Sequence, residues 1–354
     1  MLRTNRISGP GASGRTVLLL GTVLAAALLT SLPASASDAS SLNWELNLIG
    51  GYDGDRDWTT ATSGAAMGAP RNSAGLEYYS RLADEGGDFL TVDVQLRVSH
   101  DPNADDGEIG IELHNAWAEY KLGLGRNLVV GHFSPAYGLE SVTDTHATLL
   151  QTLVAWDLGF KKDWGVGYRG ILGPYDLSAA GQLGSGMGIG IDDGSFLASA
   201  QLWEPPGDEF RYGLSLLAGR VLPASGAWAL PSPEFADVAV TKLRAGAAFE
   251  LTSGSFEWMG EAAAGTNDGD AVAGALLQVG YVPPRVQELT LEAQGRVWSA
   301  DLENSNARRS AVLACASYRL TRSWTLRAGA HAELERPGAD GDAGITLQAY
   351  YFGG

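Results

Sequence analysis

Charged side chains recur along this chain among apolar neighbours, in a pattern suited to electric fields rather than to bond making. Asp93, Glu119, Glu250, Glu257, Glu261, Glu292 and Glu333 are interspersed with Arg97, Lys121, Arg169, Lys242, Arg244, Arg296, Arg319 and Arg327. Facing rows of opposite charge set up a transverse field that orients polar solutes, and rings of acids favour cations. The segment 135–163 adds Glu140, Asp144 and His146 to this set. The candidate site is therefore Glu140, Asp144 and His146 facing Arg97, Glu119, Lys121, Arg169, Arg244, Arg296 and Arg327.

Bond-making chemistry has little to work with. The sequence carries no phosphate-binding loop, dinucleotide fingerprint or metalloprotease helix. The five histidines (His100, His114, His132, His146, His331) lack the tight spacing of a zinc site. The acidic stretch 101–110 reads as a solvated loop before a cation site. No catalytic residue, metal or cofactor is expected, and the chain is not read as an enzyme. The formal charge of −17 falls to −20 once Arg3, Arg6 and Arg15 are removed, which argues against nucleic acid as a partner. Cys315 is the single cysteine, so no intramolecular disulfide is available.

These charges must be positioned by strands, because their spacing has period two. In 89–99, Leu90, Val92, Val94, Leu96 and Val98 oppose Thr91, Asp93, Gln95, Arg97 and Ser99. The same holds in 239–252, 288–299 and 324–334. Strands are predicted at 43–51, 74–83, 89–99, 111–122, 128–134, 164–173, 175–183, 195–204, 210–221, 239–252, 255–265, 272–281, 288–299, 308–319, 324–334 and 344–353, sixteen in all. Short turns such as Gly173-Pro174 and Ser253-Gly254 alternate with longer, acidic connections at 52–73, 100–110, 135–163, 184–194, 222–238, 266–271, 300–307 and 335–343. Short turns on one side and long loops on the other are the signature of a transmembrane antiparallel β-barrel. Charges opposite a clean apolar face imply a hydrated interior, since a small barrel would fill its inside with packed side chains.

The ends agree with this all-β reading. Arg3, Arg6 and Arg15 precede an apolar run from Val17 to Leu32 and a small-residue Ala34-Ser35-Ala36 site, which predicts a cleaved signal peptide over 1–36. Residues 37–354 then form one barrel domain. The final stretch, with Ile345, Leu347, Ala349 and Tyr351 alternating with Thr346, Gln348 and Tyr350, reads as the closing strand. The expected location is the bacterial outer membrane, with its lipid as the surrounding partner. The longest connection, 135–163, is the third external loop, and its Leu149, Leu150, Leu153, Val154 and Trp156 suit a segment folded into the lumen.

Asn115-Ala-Trp-Ala-Glu-Tyr120, Val129-Val-Gly-His-Phe-Ser-Pro-Ala-Tyr-Gly-Leu-Glu140 and Lys162-Asp-Trp-Gly-Val-Gly-Tyr-Arg-Gly170 resemble the strand, turn and loop entry of the phosphate-selective porin O/P-like family. The resemblance covers about 110–183 and implies a porin fold with the third loop narrowing the lumen. The family's phosphate selectivity is associated with a basic pore; with four lysines (Lys121, Lys161, Lys162, Lys242) in this chain, phosphate specificity is not carried over. The expected function is a water-filled channel for passive diffusion of small hydrophilic solutes or ions. A barrel sheathing a partner protein and, further off, a barrel enzyme are the competing readings. Analogy with porins of this size suggests a homotrimer.

Overall fold

In the strand Gly87–His100, Thr91, Asp93, Gln95, Arg97 and Ser99 are the buried residues, while Val98 is half exposed. A water-soluble domain buries the opposite set. Polar-in, apolar-out alternation closes into a stable structure only if the inside is wet and the outside meets hydrocarbon. The computed structural model describes residues 39–53, 56–59, 71–100, 109–145, 147–188, 193–207, 209–222, 238–337 and 341–354. The predicted signal peptide lies outside the described residues.

The wall strands are β1 (Ala39–Asp53), β3 (Asn72–Asp84), β4 (Gly87–His100), β5 (Ile109–Gly123), β6 (Arg126–Phe133), β7 (Asp163–Leu172), β8 (Tyr175–Gln182), β9 (Phe196–Trp203), β10 (Phe210–Val221), β11 (Val240–Ser253), β12 (Phe256–Asn267), β13 (Asp270–Tyr281), β14 (Leu289–Ser299), β15 (Arg308–Arg319), β16 (Trp324–Glu335) and β17 (Asp342–Gly353), with a four-residue β2 (Arg56–Thr59) extending the rim beside β1. Each wall strand is hydrogen-bonded antiparallel to its neighbours. The barrel closes where β1 meets β17, in register from Trp44 opposite Gly353 to Asp53 opposite Gly344. This is the closed sixteen-stranded antiparallel barrel that the alternation predicts, and the terminal strand is its closing staple. Closure leaves no strand edge unpaired in a medium without water.

Turn chemistry sets the short rim. Leu124 and Gly125 both have positive φ, 54° and 69°, in the two-residue turn between β5 and β6, the backbone that matches strand twist in a tight hairpin. The connection expected at 266–271 is shorter than predicted. Strands β12 and β13 continue to Asn267 and Asp270, and Asp268-Gly269, again at positive φ, make a two-residue turn. Outward aromatics gather by the short turns: Phe256 and Tyr281 have ring centroids 4.8 Å apart, and Trp324 and Tyr351 5.2 Å apart. Such rings suit the polar-apolar boundary of a bilayer.

Candidate functional site

The segment between β6 and β7 does not leave the barrel. It enters at Pro135, crosses the lumen and returns at Lys162, with a single helical turn α1 (Val154–Asp157) at its centre. Three dry footings hold it. Tyr137, Val154, Leu158 and Phe160 pack on Leu197, Leu217, Ala263, Val272 and Trp298. Leu149 and Leu150 cover Ala311, Leu313 and Cys315. Leu139 and Leu153 sit with Trp203, Ala248 and Leu276. Each fully buried leucine stabilises the folded-in position by roughly 1.5–3 kcal/mol relative to exposure, so the loop is fixed rather than draped.

Polar anchors complete the attachment. Ser199 Oγ accepts the Ala136 amide at 3.0 Å, and Gln348 Nε2 donates to the Ala147 carbonyl at 3.0 Å. The strongest anchor is electrostatic. Arg244 donates from Nε and Nη2 to the Asp157 carboxylate at 2.8–3.1 Å, and Lys242 bonds the Asp157 carbonyl. Tyr137 adds its hydroxyl to Asp157 at 3.2 Å; burial, then the Asp157 charge, hold that phenol well above its ordinary range. Gly138, at φ +61°, lets the backbone turn flat against the Glu261 carboxylate, where a Cβ would collide.

The sequence-predicted residues divide into different roles. Arg244 lies beneath the loop and anchors it. Arg296 is buried with its guanidinium 4.0 Å from the Trp156 ring, and Arg309 lies 4.6 Å from the same ring. Glu140 turns into the loop and accepts from Thr152 at 2.6 Å and Thr145 at 3.0 Å. Arg97 faces inward between Glu45 at 3.5 Å and Glu112 at 4.0 Å. Glu119 pairs with Arg169 at 2.8 Å, and Arg327 bonds Gln348 at 3.1 Å. Lys121 sits by the short-turn rim with Asp88 at 3.2 Å. Asp144 is the exposed acid of the loop. His146 lies outside the described residues.

Open space remains on one side of the loop. A cavity of about 260 Å³ is lined by Glu140, Asp144, Thr145, Lys162 and His114 among others. A second, of about 130 Å³, is lined by Asn115, Trp117, Tyr168 and Arg169 and shares Ser134, Ser141 and Lys162 with the first. The structure therefore brings Asp144, Glu140 and Arg169 to the open side, and sets Arg244 and Arg296 against the packed side. The sequence-based list omits Lys162, whose Nζ bonds Asn115 Oδ1 on β5, two strands along the wall. Burial brings that ammonium down to about 8, against the opposing pull of Glu140, Asp144 and Asp93. The list also omits Asp157, which no local pattern separates from any other loop acid. Among the described residues no group of three His, Cys, Asp or Glu side chains is placed to hold a metal ion.

No protein-family model matches the chain, and no curated protein sequence matches it. Solved structures do. The fold is similar to that of OmpF of Salmonella typhi, solved in complex with daunomycin (TM-score 0.64, 11% identity, 88% of this chain and 97% of that one). It is also similar to the anion-selective porin of Comamonas acidovorans (TM-score 0.61, 13% identity, 89% and 100%) and to the outer-membrane protein OmpT of Vibrio cholerae (TM-score 0.61, 12% identity, 91% and 100%). At these identities the shared property is the porin-type barrel itself.

Proposed function

We propose that this chain is a pore of the bacterial outer membrane through which small hydrophilic solutes or ions diffuse passively. One observation carries the reading: a closed barrel with inverted faces is narrowed, and not filled, by a loop whose open side is lined with Asp144, Thr145, Lys162, Asn115 and Arg169. Such a loop sets a size limit, and the ionisable groups around the gap bias what enters. The likeness to porin barrels supports the same reading, while the selectivity of any one of them stays its own.

Removal of residues 1–36 on export, a barrel domain over 37–354 and assembly as a homotrimer belong to the proposal. So does kinship with the phosphate-selective porin O/P-like family over 110–183, without phosphate specificity. The roles of Glu140, Asp144, His146, Arg97, Glu119, Lys121, Arg169, Arg244, Arg296 and Arg327 as lining or constriction residues are part of it too, Arg244 and Arg296 acting by holding the loop. Liposome swelling tests the reading with neutral sugars of increasing size. Entry of monosaccharides with exclusion of larger oligosaccharides supports it, and failure of all sugars and of small amino acids to enter would count against it.

A further inference from the structure

We propose that Lys162 is the selectivity-determining residue of the passage, its ammonium setting how strongly the pore prefers cations over anions. The inference rests on the pore reading and deepens it. Lys162 is the ionisable residue common to both cavities, and it stands where the loop rejoins β7. In the larger cavity its charge faces the carboxylates of Glu140 and Asp144. In the smaller one the other cation, Arg169, already has Glu119 at 2.8 Å.

Its position is held from β5, two strands along the wall. Asn115 Oδ1 accepts from Nζ, and the Asn115 amide donates to Asp93 Oδ2 at 3.0 Å and to Gln95 Oε1 at 3.4 Å. The groups facing the ammonium are Glu140, Asp144 and Lys161 from the loop, Asp93 from β4, His114 and Asn115 from β5, and His132 from β6. Three carboxylates in that set stand against one other lysine, so Lys162 offsets a negative lining. Burial lowers its pKa to about 8. Below that pH the ammonium repels cations and admits anions. Above it the amine is neutral and the carboxylates act alone, so cation preference rises with pH.

The test measures reversal potential in a salt gradient, from pH 6 to 9.5, for the full mature protein in planar bilayers. Wild type, Lys162→Met and Lys162→Arg are compared after heat-modifiable gel mobility shows that each is folded. In wild type the cation-to-anion permeability ratio should rise roughly twofold or more through pH 8, the scale of one unit charge near a hydrated path. Lys162→Met should hold the high ratio from pH 7.5 to 9.5, with no step through pH 8. Lys162→Arg, which stays charged, should keep the low ratio and lose the step. A step that persists in both variants, or identical ratios in all three proteins, would overturn the proposal. Absence of conductance in all three would overturn the pore reading and this inference with it.

Discussion

The guanidinium of Arg244 grips the carboxylate of Asp157 beneath the third loop, with Nε 3.0 Å and Nη2 2.8 Å from the same oxygen, and both side chains are buried. A wall strand and a loop 87 residues apart in sequence are thereby joined on the packed side of the loop. Removing one partner of a buried pair costs about 3–5 kcal/mol, because the other charge is left uncompensated. Asp157→Ala is therefore expected to loosen the loop while the barrel stays closed. Single-channel records should show larger conductance and greater open-channel noise than wild type. The double variant Asp157→Leu, Arg244→Met, which removes both charges, should recover most of the quiet trace.

Trp156 carries a different load. Its ring takes Arg296 at 4.0 Å and Arg309 at 4.6 Å, and Arg309 continues to Glu333 at 3.2 Å. Each such contact contributes about 0.5–2 kcal/mol. Trp156→Ala removes both contacts and a large buried surface, with an expected loss of about 3–5 kcal/mol. It also uncovers two guanidinium groups. Thermal unfolding should move to lower temperature, and the reversal potential should shift toward anions.

Cys315 reports on the same loop from beneath. It lies on the inner wall under Leu149 and Leu150, with a relative exposure of 5%. A thiol in that place reacts with a water-soluble reagent only when the loop lifts, so its rate follows local opening. In folded wild type the reaction with a charged methanethiosulfonate should be slow. Asp157→Ala should speed it about tenfold or more, since every 1.4 kcal/mol of lost anchoring raises the open population by that factor. Equal rates in the two proteins would show that the anchor does not hold the footing over Cys315.

Much of the architecture was legible because period-two alternation and turn residues are local. The strands and their order could be read from runs such as Leu90–Val98 and from turns such as Gly173-Pro174. The extra reach of β12 and β13 to the Asp268-Gly269 turn was not, because Thr266 and Asn267 read as loop residues until their cross-strand partners Ala271 and Asp270 are known. The loop footings had a signal of their own. Where alternation breaks into apolar doublets, Phe196-Leu197, Leu216-Leu217, Leu276-Leu277, Val297-Trp298 and Val312-Leu313, the first or second member faces lipid and the other faces the loop. Long-range pairings carried no such mark. Nothing near Asp157 identifies Arg244 as its partner, and nothing near Lys162 points to Asn115. The field-forming charges were legible as inward-facing, but their division into anchors and passage-lining groups depended on where the loop lay.

The central claim is that the barrel is an open, loop-narrowed pore, and a planar-bilayer recording tests it most directly. Purified mature protein, added to a lipid bilayer in symmetric potassium chloride, should insert in discrete steps of uniform ohmic conductance, and those steps should grow in Asp157→Ala. Stable insertion without ion conductance in either protein would contradict the account.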